Sequence, residues 1–174
     1  MEFFNNPYVR DGYAKAHGGM ATVKPIEVLP TQVLYRFYDS SKAHTPEEGA
    51  DGAWWFEYEQ FQTIKHFALR NDYSFSYAAR LFAAILYQYS EVDAWVSCEI
   101  TRPLRAWRGR GKQVESEGKD PRDGPKGTKM TPMQSVLEVY QIYLPGLGGP
   151  GSIAASVLKV KSSGPVSTQP STPQ

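Results

Sequence analysis

The order of the apolar segments constrains the fold of this chain more than any other feature. One β-branched and aromatic run, Gln32–Tyr38 (QVLYRFY), comes first and reads as a strand. Two helix-periodic runs follow. In Glu57–Arg70 the residues Tyr58, Phe61, Ile64, Phe67 and Ala68 recur at helical spacing. In Phe75–Tyr89 the stripe is Phe75, Ala78, Phe82, Ile85 and Tyr89, with Ser74 in the N-cap position. Ala94–Ile100 (AWVSCEI), Leu104–Trp107, Ser135–Leu144 (SVLEVYQIYL) and Ile153–Val160 then read as strands. Strands and helices do not alternate, so a doubly wound parallel sheet is excluded. An α+β domain with mostly antiparallel pairing is expected.

The segments around this body set its limits. Residues 1–30 are broken by Gly12, Gly18, Gly19, Pro25 and Pro30 and sustain no period, so they read as an N-terminal arm. Residues 31–161 make the domain, and the Ser, Thr, Pro and Gln of 162–174 read as a disordered tail. The stretch from Arg108 to Met133 is long for a connection inside a compact domain and is expected to be mobile or functional. With 174 residues, 19 basic against 18 acidic side chains and a net charge of +1, the chain is not built to coat nucleic acid or an anionic membrane. The single cysteine, Cys98, excludes an intrachain disulfide and a cysteine zinc site, and no metal is expected. Met1–Arg10 lacks the basic start and apolar run of a secretory signal, and the longest apolar run, Leu81–Leu86, cannot span a bilayer. A chain made in the cytoplasm is expected, exported, if at all, by a route without a cleaved signal.

Four groups of residues bear on chemistry. Arg36 lies mid-strand between Tyr35 and Phe37, where a guanidinium needs a partner: a phosphate, an acidic side chain, or solvent at an edge. Trp54, Trp55 and Phe56 are adjacent on an extended segment, so they divide between the core and a cleft wall able to stack on a flat heterocycle. On the last strand Glu138 is in phase with Tyr140, Ile142 and Leu144, whereas Gln141 falls on the other face with Val139 and Tyr143. Either polar group could hold a ribose hydroxyl. Arg102, Arg105, Arg108, Arg110 and Lys112 surround Trp107 without an acid, a pattern that fits single-stranded nucleic acid or a solvated loop. No P-loop, dinucleotide glycine fingerprint or nucleophile elbow is present.

In their order, Leu34–Tyr35–Arg36, the Gly52–Ala53–Trp54–Trp55 lead into a helix ending His66–Phe67–Ala68, the strand Trp95–Ile100 with the Pro103–Trp107 stretch, and Tyr140–Gln141–Ile142–Tyr143–Leu144–Pro145 resemble the ADP-ribosyltransferase-like fold of NAD-consuming bacterial toxins and effectors. The RES-type NAD-degrading toxins are close cousins. The resemblance covers about residues 33–147. It implies a split antiparallel β-sandwich with two main helices after the first strands. It also implies NAD as co-substrate, with Arg36 on the phosphates or adjoining ribose and Tyr35, Trp54, Trp55 and Phe56 along the cleft. Gln141 stands where the family places its catalytic Glu, and Glu138 is the nearby residue that could supply the charge. Gln can hydrogen-bond a ribose hydroxyl but carries no charge to offset a cationic transition state.

These implications define an expected toxin or effector that transfers ADP-ribose to a protein or to water. A target protein would dock at the 108–133 loop, and a cognate immunity protein is a further expected partner. Two other readings stand beside it: a nucleic-acid-binding module built on 102–112, and a non-catalytic interaction protein on a degenerate transferase fold.

Overall fold

A three-residue connector dictates the shape of the sheet. The computed structural model describes residues 2–133 and 138–170. Along it run α1 (Asn6–Gly19), β1 (Met20–Val28), β2 (Val33–Tyr38), α2 (Pro46–Gly49), β3 (Trp54–Glu57), α3 (Tyr58–Arg70), α4 (Phe75–Ala83), β4 (Ala94–Ile100), β5 (Leu104–Gly111), β6 (Val114–Glu115), β7 (Lys129–Met130), β8 (Tyr140–Tyr143), α5 (Ala154–Val157) and β9 (Leu158–Pro165). The main sheet has the order β1-β5-β8-β3-β2-β4-β9, and β6 pairs with β7. The described pairings are antiparallel. Only Thr101–Pro103 separates β4 from β5, which stand four places apart in that order. A flat sheet would put them about 19 Å apart, whereas the connector reaches about 14 Å at full extension. The sheet therefore curls, and its inner face closes on itself.

The inner face holds the principal core. Val28, Leu34, Trp55, Val96, Cys98, Ile100, Leu104, Ile142 and Leu144 meet there, closed by Ala50, Leu147, Ala154 and Val157 from α2, α5 and the segment before α5. The outer face carries the long helices. Helices α3 and α4 pack Phe61, Ile64, Ala78 and Phe82 against Phe37 and Phe56. Helix α1 packs Ala16 near Trp107 and Tyr143. The α+β, mostly antiparallel class expected from the element order is the class observed.

Three segments depart from the expectations. Residues 6–28 are not an arm but helix α1 and edge strand β1, which pairs with β5. Two of the three glycines that read as breakers are close-approach positions: a Cβ on Gly12 would lie 2.9 Å from the Pro145 Cβ, and one on Gly19 2.6 Å from the Trp54 ring, whereas Gly18 faces open space. Pro25 is tolerated because β1 is at the sheet edge. The fully buried Asn5 ties the start of α1 to β5, donating to the carbonyls of Arg105 and Pro145 and accepting from the Arg105 N–H.

The second departure is α4, which stops at Ala83 rather than Tyr89. Ala84 is left-handed, with φ 55°. Beyond it the backbone is held by other groups. Arg80 donates to the carbonyls of Ile85 and Ser90, and the Asp123 carboxylate accepts from the N–H groups of Tyr87 and Gln88. The third is the expected tail. Strand β9 continues through Ser162 and Ser163 to Pro165, and Val166 is buried with its N–H on the Asp93 carbonyl. Residues 171–174 lie outside the described residues, as do 134–137 of the expected last strand. The 108–133 stretch folds on itself: β5 extends to Gly111, β6 pairs with β7, and the Ser116 hydroxyl donates to the Gly124 carbonyl.

Candidate active site

Register decides which of the expected residues share a surface. Antiparallel partners point to the same side of a sheet. Leu34 and Tyr38, which flank Arg36 at a period of two, belong to the inner core, so Arg36 is an inner-face residue like Trp55. Tyr35 pairs with Phe56 and both contribute to the outer core. Gln141 alternates with the inner-face Ile142 and therefore points outward, where its amide donates to the Ala83 carbonyl at 3.4 Å. The structure thus brings Arg36 and Trp55 to one face and places Gln141 on the other. Trp55 and Phe56 are buried, the Trp55 indole N–H donating to the Gly52 carbonyl at 2.8 Å. Trp54 packs on Tyr143 and against Gly19 under α1.

The Arg36 guanidinium is held by the turn that leads into β3. Nε donates to the Gly49 carbonyl at 3.0 Å and Nη1 to the Trp54 carbonyl at 3.1 Å. It lies flat against Gly52, where an added Cβ would stand 2.0 Å from Cζ. Burial pulls its pKa down to about 10, against the attraction of Asp51. Asp51 in turn accepts from the Gly148 N–H, joining this turn to the one after β8. Arg36 therefore stays protonated at neutral pH and acts here as a clamp on the 49–54 backbone.

A second constellation occupies the inner face at β3, β8 and β5. Glu57 lies two residues beyond Trp55. Arg108 pairs with Ile142 and Arg110 with Tyr140. The Arg108 Nε donates to the Glu57 carboxylate at 2.6 Å, and its guanidinium lies 4.3 Å from the centre of the Tyr140 ring. The Tyr140 hydroxyl donates to one Glu138 oxygen at 2.6 Å, and Arg110 donates to the other at 3.2 Å. Arg110 also bonds the Thr22 hydroxyl, while its Nε is buried without a partner. The bond to Glu138 pushes the Tyr140 phenol pKa up. Charges, a ring and donors thus line one half-exposed surface: Arg108 and Glu57 keep 32% and 34% of their side-chain area open, and neither terminal nitrogen of Arg108 has a partner among the described residues.

Glu138 was visible in the sequence, but Glu57, Tyr140 and Thr22 were not assigned to a site. No local signal marks them, because residues 22, 57, 108 and 138 meet only through strand pairing. The basic run 102–112 is divided by the same pairing. Arg108 and Arg110 face acids on the inner side, Arg105 stacks on Phe3, and Trp107 is buried. Cys98 is buried in the inner core and its thiol pKa is pushed up to about 12 by burial and, further, by Glu47, so it is no nucleophile. Among the described residues no cluster of His, Cys, Asp and Glu could hold a metal ion, and no helix is long and apolar enough to cross a membrane.

No protein-family model and no curated protein matches the chain. Among solved structures it is similar to the structure of Tne2 in complex with Tni2, with a TM-score of 0.47 and 17% identity over 83% of this chain and 92% of that chain. It is also similar to Rhs1-CT in complex with the cognate immunity protein RhsI1, with a TM-score of 0.47 and 11% identity over 95% of this chain and 98% of that chain.

Proposed function

We propose that this chain is an NAD-consuming toxin or effector of ADP-ribosyltransferase-like type, which cleaves the nicotinamide–ribose bond and passes the ADP-ribosyl group to a protein or to water. The observation that carries the reading is the Glu57–Arg108–Tyr140–Glu138–Arg110 array on the inner face of the sheet. NAD offers a pyrophosphate, two riboses and a cationic pyridinium leaving group. The terminal nitrogens of Arg108, without a partner among the described residues, make a fork suited to pyrophosphate oxygens. As the glycosidic C–N bond breaks, its electron pair leaves with nicotinamide and positive charge develops on the ribose ring. A fixed carboxylate stabilises that charge. Glu138 fits the task, because Tyr140 and Arg110 orient both of its oxygens. Water or a target side chain then attacks the anomeric carbon and loses a proton.

In this reading Glu138, not Gln141, supplies the carboxylate, and Arg36 acts through the turn that it clamps. The family resemblance extends the proposal to a cognate immunity protein as partner and to a target docked near 108–133.

Release of free nicotinamide from NAD tests the proposal. The wild type releases it, and Glu138→Gln, which retains hydrogen-bonding capacity at the site, lowers the rate about 100-fold, the usual effect of losing one electrostatic stabiliser. Absence of release by the wild type, with NAD binding intact, would favour the non-catalytic alternative. An unchanged rate in Glu138→Gln would remove Glu138 from the mechanism.

A further inference from the structure

The outer face of the sheet carries a cavity that the array on the inner face does not use. It lies between α3, the outer side of β2 and β4, and the segment that follows β9, and its volume is about 360 Å³. Tyr35, Phe61, Phe75 and Trp95 form its aromatic part. Tyr35 stacks on Phe61 at 4.7 Å between ring centres, Trp95 lies 5.5 Å from Phe61, and Phe75 meets Phe61 edge-on at 5.2 Å. The segment after β9 forms the opposite wall and is tied down, since the Ser76 N–H donates to the Ser167 carbonyl and Val166 is buried. The walls are thus fixed before any ligand arrives.

Of the polar groups around this cavity, the Ser167 hydroxyl is taken by the Gln169 carbonyl, whereas two side chains on α3 are uncommitted. Among the described residues Lys65 is the one charged side chain that lines it, and Gln62 lies one helical turn before it. Neither has a hydrogen bond or ion pair with another described side chain or backbone group. A largely apolar hollow with a small number of free polar tips is the usual form of a small-molecule site. Aromatic faces alone would also accept a cation, but the ammonium of Lys65 repels one and no carboxylate among the described residues lines the wall. The size suits one or two rings and is too small to enclose a dinucleotide, so this cavity is separate from the NAD reading and does not depend on it.

We propose that this outer cavity binds a planar aromatic anion, its ring seated among Tyr35, Phe61 and Trp95 and its charge meeting Lys65. The test uses 8-anilinonaphthalene-1-sulfonate as probe, with the full chain at neutral pH and moderate salt. The wild type gives a saturable, single-site rise in probe fluorescence. Lys65→Glu, at an exposed position on α3, weakens binding about tenfold with the melting temperature unchanged. The uncharged analogue N-phenyl-1-naphthylamine binds the wild type at least about fivefold more weakly. Ala68→Phe, which fills the cavity, abolishes the single-site signal; should that variant fail to fold, Lys65→Glu still decides. Binding unaffected by Lys65→Glu, or equal binding of the charged and uncharged probes, would overturn the proposal.

Discussion

The Arg36 corner and the Arg108 array share one face of one sheet, yet they solve opposite problems. At Arg36 a half-buried guanidinium is bonded to two backbone carbonyls and pressed against a glycine. At Arg108 a half-exposed guanidinium meets a carboxylate and a ring, and two of its nitrogens have no partner among the described residues. The first arrangement fixes a turn. The second leaves capacity for a ligand. An arginine set in an apolar strand attracts attention as a phosphate binder, but here two of its three nitrogens are taken by backbone carbonyls of the protein itself. Arginines in a basic run look like solvated surface, and strand pairing sets two of them against acids and a ring on one face.

The largest contrast between the two regions is in stability. Gly52→Ala would set a methyl group inside the guanidinium of Arg36, and Arg36→Met would leave the carbonyls of Gly49 and Trp54 without their donor. Each change is expected to cost about 2–4 kcal/mol, from buried polar groups left unpaired at about 1–3 kcal/mol each. Urea unfolding reads this, and a loss below about 0.5 kcal/mol would show that the corner is not a clamp. Glu57→Ala breaks a partly exposed pair and is expected to cost less than about 1 kcal/mol, shrinking further in high salt. If the Glu57 change were the more damaging of the two, the comparison would be inverted.

Smaller effects sharpen the picture around the two regions. Burial alone would raise the Asp39 carboxyl pKa. The Ser41 hydroxyl and the N–H groups of Glu91 and Ser41 outweigh it, with help from Lys42, so the net shift is downward. A depressed carboxylate contributes stability above its unfolded pKa of about 3.9 and loses it as pH falls through the folded value. Acid unfolding of Asp39→Asn should therefore be less steep below about pH 4 than that of the wild type. Parallel profiles would show that Asp39 is not coupled to folding. Least perturbing of all, Cys98 should resist a thiol reagent at pH 8 in the native protein and react once it is unfolded. Prompt native reaction would contradict its burial in the inner core.

Much of this architecture was legible from periodicity. Ala94–Ile100 is a strand with the bounds that alternation gives it, and α3 begins one residue after its expected start. Helix α1 was not legible, because Gly12 and Gly19 break the apolar pattern for the very reason that they pack closest, on Pro145 and Trp54. The end of α4 was hidden because Asp123, distant in sequence, supplies the partners that take the backbone out of the helix. At the candidate site the alternation of Glu138 and Gln141 onto opposite faces was visible. Which of those faces carries Arg36 depends on how β2, β3 and β8 pair, and no local pattern encodes that.

The central claim is that the inner face, through Glu138, does the chemistry, and that the family-position residue Gln141 on the outer face does not. Nicotinamide release from NAD by the wild type, Glu138→Gln and Gln141→Leu, compared side by side on folded protein, tests it most directly. The account predicts release by the wild type, a rate about 100-fold lower in Glu138→Gln, and a rate within about threefold of wild type in Gln141→Leu, a change worth less than about 1 kcal/mol. The reverse pattern, with Gln141→Leu inactive and Glu138→Gln fully active, would contradict it.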